Sequence, residues 1–165
     1  METADLKKLV ERLAPGSLLQ CVNFGRSTQA CAWIETHSLI KLAEELKRDP
    51  SVRLDIVENL SAMQMDEVIV LTYFLRSSST PATARIRGSV AIENVDEVVN
   101  FPSTRKVWPS AEVFEREISE LFGIDFSGLP SRDTRILPED WVGFPLRKTF
   151  TLSESIHTPD AGGME

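Results

Sequence analysis

An α+β fold of two layers is what this sequence predicts: a roughly five-stranded mixed sheet with helices on one face, followed by a C-terminal helix and an extended arm. Three observations predict it. Apolar residues recur at three-and-four spacing in separate stretches, short β-rich runs bounded by turn residues lie between and after them, and the order runs helix, two strands, helix, three strands.

Leu6, Leu9, Val10 and Leu13 share one helical face from Thr3 onward, with Asp5 in the first turn and Pro15-Gly16 as a stop. Leu18 to Phe24 and Gln29 to Ile34 read as strands of a hairpin across Gly25-Arg26-Ser27. Thr36 fits the N-cap of a second helix, whose apolar positions Leu39, Ile40, Ala43 and Leu46 cover the hairpin and which ends at Asp49-Pro50. Val52, Leu54 and Ile56 alternate with Arg53 and Asp55 as a strand would, and Glu67 to Leu75 is a nearly continuous apolar run suited to a strand buried on both faces. After a Ser-rich turn, Thr83 to Ile92 sets Ile86, Val90 and Ile92 on one face and Arg85 and Arg87 on the other.

Beyond Pro102 the pattern changes. Pro109 and Gly123 bracket a third helix over Ala111 to Phe122. From Ile124 to Phe150, prolines at 130, 138 and 145 and glycines at 128 and 143 break any period, so an extended arm is expected. Its large apolar groups, among them Phe126, Trp141 and Phe144, require cover from its own sheet or from another protein. The expected organisation is therefore a sheet domain over 1–101, a helix and arm over 102–150, and a disordered acidic tail over 151–165.

With 165 residues, 42% hydrophobic and 26% charged, the chain has a globular composition. A formal charge of -7 disfavours nucleic acid, whose binding relies on Lys and Arg displacing counterions. No apolar run reaches the roughly 20 residues that span a bilayer, and the start METADLKK has no secretory core, so a cytoplasmic chain is expected. Cys21 and Cys31 cannot by themselves build a four-ligand metal site, and with His37 and His157 they read as ordinary packing or surface groups. Residues 101–150 hold seven basic and eight acidic side chains, a composition suited to specific ion pairs or partner contacts.

On a helical wheel, Ala111, Phe114, Ile118, Leu121 and Phe122 share an arc that also contains Glu115, whereas Glu112, Arg116, Glu117 and Glu120 lie outside it. A carboxylate that faces a core needs partners, and Arg132, Arg135 or Arg147 from the arm is the expected one. Glu112 and Arg116 are spaced as an i,i+4 pair.

The run Glu115-Arg116-Glu117-Ile118-Ser119-Glu120-Leu121-Phe122-Gly123-Ile124, followed by Gly128, Pro130, Arg135-Ile136-Leu137, Pro138-Glu139-Asp140-Trp141 and Pro145-Leu146-Arg147-Lys148, resembles the 30-kDa (C-type) subunit family of respiratory complex I. That family extends to chloroplast-type NDH complexes and membrane-bound hydrogenases. Two departures stand out: the family's Gly-His-Pro elements are here Gly128-Leu129-Pro130 and Gly143-Phe144-Pro145, so no histidine role carries over, and a divergent branch is indicated.

The resemblance implies a cofactor-free docking subunit in the peripheral arm of an NADH:quinone oxidoreductase, at the cytoplasmic face of the inner membrane. It would touch the membrane only through the complex. Its implied partners are the large, hydrogenase-large-like (49-kDa) subunit and neighbouring iron–sulfur subunits, which would carry the iron–sulfur clusters and any flavin or nickel–iron centre. The alternative is the equivalent subunit of an energy-converting nickel–iron hydrogenase. The expected docking residues are Glu115, Arg116, Glu117, Glu120, Phe122, Gly123, Arg135, Trp141, Pro145, Leu146, Arg147 and Lys148, with Trp108, Phe114, Phe126 and Phe144 as aromatic anchors. In that reading Arg147 and Lys148 hold acidic groups of the partner. An autonomous enzyme using Glu115, Glu117 or Glu120 as acid and base, with Arg116 as an anion clamp, is the competing class; those acids do not converge on the wheel. A free-standing regulatory module is the third, and it would need the arm to be mobile when alone.

Overall fold

The computed structural model describes residues 2–23, 30–94, 97–130, 136–138 and 141–151. Helical spacing of apolar residues yields α1 (Thr3–Leu13), which buries Leu6, Leu9 and Val10. The chain then forms β1 (Leu18–Asn23) and β2 (Ala30–Ile34), an antiparallel pair whose connecting turn at Gly25-Arg26-Ser27 lies outside the described residues. Thr36 caps no helix. It opens a short 3-10 turn, and its hydroxyl donates to the Ser89 carbonyl at 2.6 Å, pinning the turn to the sheet. The helix proper, α2 (Leu39–Arg48), buries Leu39, Leu42, Ala43 and Leu46 and ends before Asp49.

The third strand sits later than alternation suggests. Arg53 has φ of 42°, the Leu54 N–H donates to the Leu46 carbonyl, and β3 runs from Ile56 to Met65. Alternation at Val52 to Ile56 has a different cause: Leu54 is wholly buried beneath the helices, and its carbonyl accepts from the Trp108 indole at 2.9 Å. β4 (Val68–Arg76) and β5 (Thr83–Ala91) complete a five-stranded sheet of order β1-β2-β5-β4-β3, mixed because β2 and β5 run parallel. β4 is buried on both faces from Ile69 to Tyr73, as its unbroken apolar run implies.

The C-terminal part is more regular than an extended arm. β6 (Val99–Pro102), α3 (Ala111–Phe122) and β7 (Ile124–Ser127) form a strand–helix–strand unit whose two strands pair in parallel. Phe101 and Phe126 meet edge to face at 5.9 Å between β6 and β7. A Cβ on Gly88 of β5 would stand 2.9 Å from the Phe101 ring, so the missing side chain is what lets this ring approach the sheet. Trp108, Ile118, Phe122 and Phe126 join one apolar cluster with residues of α1, α2 and the large sheet. Among the described residues, no helix is long and apolar enough to cross a membrane.

Candidate functional site

Helix α3 starts after Ser110 and stops at Gly123, which adopts φ of 67° and ψ of 48° with its N–H on the Ser119 carbonyl. Left-handed backbone at a helix end is most often supplied by glycine, which has no Cβ to clash. The space beside it is also taken: a Cβ at Gly123 would lie 2.5 Å from the Phe144 ring. Phe144 in turn packs under the Arg147 guanidinium, 4.5 Å from its centroid.

Arg147 is buried, with 4% of its surface exposed. Its Nε donates to the Phe122 carbonyl at 2.7 Å, and its Nη2 donates to the Gly123 carbonyl at 3.2 Å and to that of Glu97. Carbonyls at the end of a helix carry its negative pole, so a cation there is favourable twice over, as a donor and as a charge. One guanidinium thereby ties the arm to α3 and to the segment entering β6. Leu146 adds a main-chain bond from its N–H to the Leu121 carbonyl at 3.1 Å.

Glu112, Arg116 and Glu120 stand at i, i+4 and i+8 on one face of α3, and all three turn to neighbouring loop segments. Glu112 is 2.9 Å from Arg116 and 3.1 Å from Arg105. Arg116 donates to the Pro130 carbonyl at 2.8 Å, while Arg105 reaches that of Gly128 at 3.4 Å. The Glu120 carboxylate accepts from the N–H groups of Ile136 and Leu137 at 2.7 and 3.0 Å.

Glu115 is fully buried, as its place on the wheel implies; of the arginines expected beside it, Arg147 bonds elsewhere, and Arg132 and Arg135 lie outside the described residues. Its carboxylate accepts from the Ser103 hydroxyl at 2.5 Å, the Thr104 N–H at 2.7 Å and the Thr104 hydroxyl at 2.8 Å. Three donors from the loop after β6 satisfy the group locally, and Arg147 is engaged elsewhere. Burial pushes the Glu115 carboxyl up, and these hydrogen bonds, with the nearby Arg105 charge, offset only part of that. The Tyr73 phenol is pushed well above its ordinary value by burial and then by the Glu115 charge.

The remaining expected residues divide. Phe122 and Trp108 are core, and Phe114 is half-buried against it. Trp141 stacks on Phe150 with centroids 5.9 Å apart. Lys148 has an exposed side chain, and its N–H donates to the Gln64 side chain at 2.9 Å. Pro145 is half-buried, Glu117 is exposed, and Leu146 is 52% exposed. Arg132, Arg135, Glu139 and Asp140 lie outside the described residues, as does His157. Cys21 and Cys31 are free; they stand opposite Ala32 and Val22, so successive positions send them to opposite faces of the hairpin. His37 is exposed beside Glu35.

Glu115, Glu117 and Glu120 thus look inward, outward and towards the main chain of Ile136 and Leu137. Among the described residues no group of three or more His, Cys, Asp or Glu could hold a metal ion. Sequence reasoning missed Ser103, Thr104 and Arg105. Their signal was local: two hydroxyls and a cation one short loop before the buried acid.

Residues 32–155 match the family described as "Respiratory-chain NADH dehydrogenase, 30 Kd subunit". The chain is 31% identical over 122 residues to the C-type subunit of the NADH-quinone oxidoreductase of Roseiflexus castenholzii, covering 72% of this chain and 68% of that one. With the like-named protein from Roseiflexus sp. (strain RS-1), identity is 28% over 92% of this chain and 86% of the other. A C/D-type subunit of the NADH-quinone oxidoreductase of Psychrobacter cryohalolentis is 36% identical over 53% of this chain but only 15% of its own length. In fold, the chain is similar to a component of an archaeal membrane-bound sulfane sulfur reductase, at TM-score 0.62 and 17% identity over 83% of this chain and 76% of that one. The chain belongs to the family of the respiratory-chain NADH dehydrogenase 30 Kd subunit.

Proposed function

We propose that this chain is a cofactor-free docking subunit in the peripheral arm of a membrane-associated NADH:quinone oxidoreductase, seated against a D-type large subunit and bearing no catalytic group of its own. One observation carries the reading. Arg116 and Glu120 of α3 hold the main chain of the arm at Pro130, Ile136 and Leu137, and the arm in turn exposes apolar side chains: Ile136 at 59%, Val142 at 86% and Leu146 at 52%. Large apolar groups kept outward on a braced segment fit a protein neighbour better than water. Relatives of the C/D type combine both designations in one chain, which supports a D-type neighbour for this one. On this reading the complex sits at the cytoplasmic face of the membrane, and its iron–sulfur clusters and any flavin belong to other subunits.

Arg147 serves docking indirectly, because its guanidinium shapes the arm instead of meeting a partner's carboxylate. The second reading, an equivalent place in an energy-converting nickel–iron hydrogenase, is favoured by Leu129 and Phe144 standing where the resembled family has histidine.

The test is a native pull-down of the tagged chain from its own cells, with identification of the co-purifying proteins and metal analysis. Recovery of an iron–sulfur assembly with a D-type subunit is expected. Nickel in that assembly would select the hydrogenase branch, and recovery of the bare chain under gentle conditions would overturn the docking reading.

A further inference from the structure

The five-stranded sheet ends in two unlike edges, β1 and β3. β1 has six residues and a register shift between Leu18 and Gln20, and the Cys21 thiol ties it to α1 at the Thr3 carbonyl, 3.5 Å away. β3 is longer, at 10 residues, against about 5–6 in an ordinary strand. Its register shifts at Val57/Asn59, and from Asn59 to Met65 the pairing with β4 runs unbroken.

Strand edges are ordinarily blunted by lysine, proline, a bulge or a covering element, because every second residue turns an unpaired N–H and C=O outward. The stretch from Asn59 to Met65 contains no charged residue and no proline, and among the described residues its main chain bonds only to β4. Its side chains divide by face. Leu60 lies in the apolar cluster with Ile118 and Phe122 of α3, whereas Ser61, Met63 and Met65 alternate to the other side and are exposed, the two methionines at 48% and 41%. An unbranched thioether adapts to an irregular apolar neighbour, which suits these two positions to a partner's side chains.

Main chain and charge together choose the occupant. An extended segment is what meets alternating N–H and C=O groups along an edge. Where this edge ends, the β3–β4 turn exposes Asp66 and Glu67, and no Lys or Arg lies between Asn59 and Glu67. We propose that β3 is a second docking site, separate from the arm, to which an extended segment of a neighbouring subunit adds as a further strand. Such a segment sets apolar side chains over Met63 and Met65 and a Lys or Arg beside Asp66 and Glu67. A second copy of this chain is the weaker fit. Set antiparallel, its β3 would bring Asp55 and Glu58 to the turn, with their charges already met by Arg53 and Arg76, and the net charge of -7 on each copy opposes the pairing.

The proposal rests on the reading that the chain works inside a complex, and its test is separable from the pull-down. A photoreactive phenylalanine analogue replaces Ser61, an exposed residue on the same face as Met63, in the full chain, and cross-linking is carried out in the chain's own cells before lysis. The expected product joins position 61 to a segment of another subunit that has alternating apolar residues and a Lys or Arg. Its yield should fall about tenfold in M63K/M65K, which sets two cations against that segment, and be largely kept in M63L/M65L. Melting curves of both variants establish that they fold; D66N/E67Q, with a smaller expected loss, replaces the lysine pair if it does not. In the purified complex, the outward amides of residues 59–65 should exchange hydrogen more slowly than in the isolated chain. Absence of a product, a product with a second copy or with residues 152–165 of this chain, a segment without such a cation, a yield indifferent to the variants, or unchanged exchange would each overturn it. A complex recovered intact without this cross-link leaves the arm's docking role standing and removes the β3 edge.

Discussion

The helix-covered side of the large sheet and the joint between α3 and its neighbouring loop and arm are held by different forces. The sheet side is packed with Leu, Ile, Ala, Tyr73 and Trp108, and its stability comes from non-directional apolar burial. The joint is polar: Arg147 on three carbonyls, Glu120 on two N–H groups, and Glu115 on Ser103 and Thr104. Apolar packing tolerates exchange of one hydrophobe for another, whereas directional bonds to main-chain atoms demand one residue type at one place. The contrast also explains a division of labour, since a body held by burial can carry an arm whose shape is set by hydrogen bonds.

The most severe loss is expected from the body. Trp108→Ala removes a wholly buried ring together with its bond to the Leu54 carbonyl, and should cost about 3–5 kcal/mol in denaturant unfolding. A cost below that of the joint variants would reverse the ranking of the two regions. Arg147→Ala comes next, at about 2–3 kcal/mol, because the carbonyls of Phe122, Gly123 and Glu97 lose a donor away from water. Arg147→Lys should restore only part of this, since an ammonium cannot span three carbonyls in one plane and stack on Phe144. Hydrogen exchange sharpens the point: protection should fall at the end of α3 and in residues 141–150, and hold in β4 and β5. Gly123→Ala should cost about 1–3 kcal/mol, from left-handed backbone and from displacement of the Phe144 ring.

The smallest effect has a distinctive sign. Folding raises the Glu115 carboxyl above its ordinary value, so the folded state retains its proton after the unfolded chain has lost it. Stability from this group is full below the unfolded value and declines as pH rises through the folded one; Glu115→Gln should flatten that slope. Asp49 and Asp55 do the opposite. Burial pushes Asp49 up, but hydrogen bonds from Ser51 and the ion pair with Arg12 together outweigh it, and Ser78 holds Asp55 down. Their contribution is present above the ordinary carboxylate range and is lost as pH falls through their lowered values. Urea midpoints across acid pH for the wild type and Glu115→Gln would separate the two slopes.

Periodicity made α1 and α3 legible to their ends, because each has a narrow apolar stripe and a stop residue, Pro15-Gly16 or Gly123. The third strand was misplaced, since alternation at Val52, Leu54 and Ile56 reports burial and cannot tell a strand from a loop tucked under a helix. β6 and β7 were missed: each has four residues, too few for a pattern, and they pair only because α3 returns the chain alongside. The buried state of Glu115 was readable from its neighbours on the helix, but its partners were not. Nothing in the spacing of Arg147 distinguishes a carboxylate target from a carbonyl one.

By itself, then, the sequence determined which residues leave water, where the helices stop, and, through the run from Glu115 to Ile124, the family. Beyond the i,i+4 pair of Glu112 and Arg116, only the tertiary structure decided which polar group meets which. Apolar burial depends on composition and period, which are local in the chain, whereas a hydrogen bond depends on ångström-scale placement of segments that are distant in it.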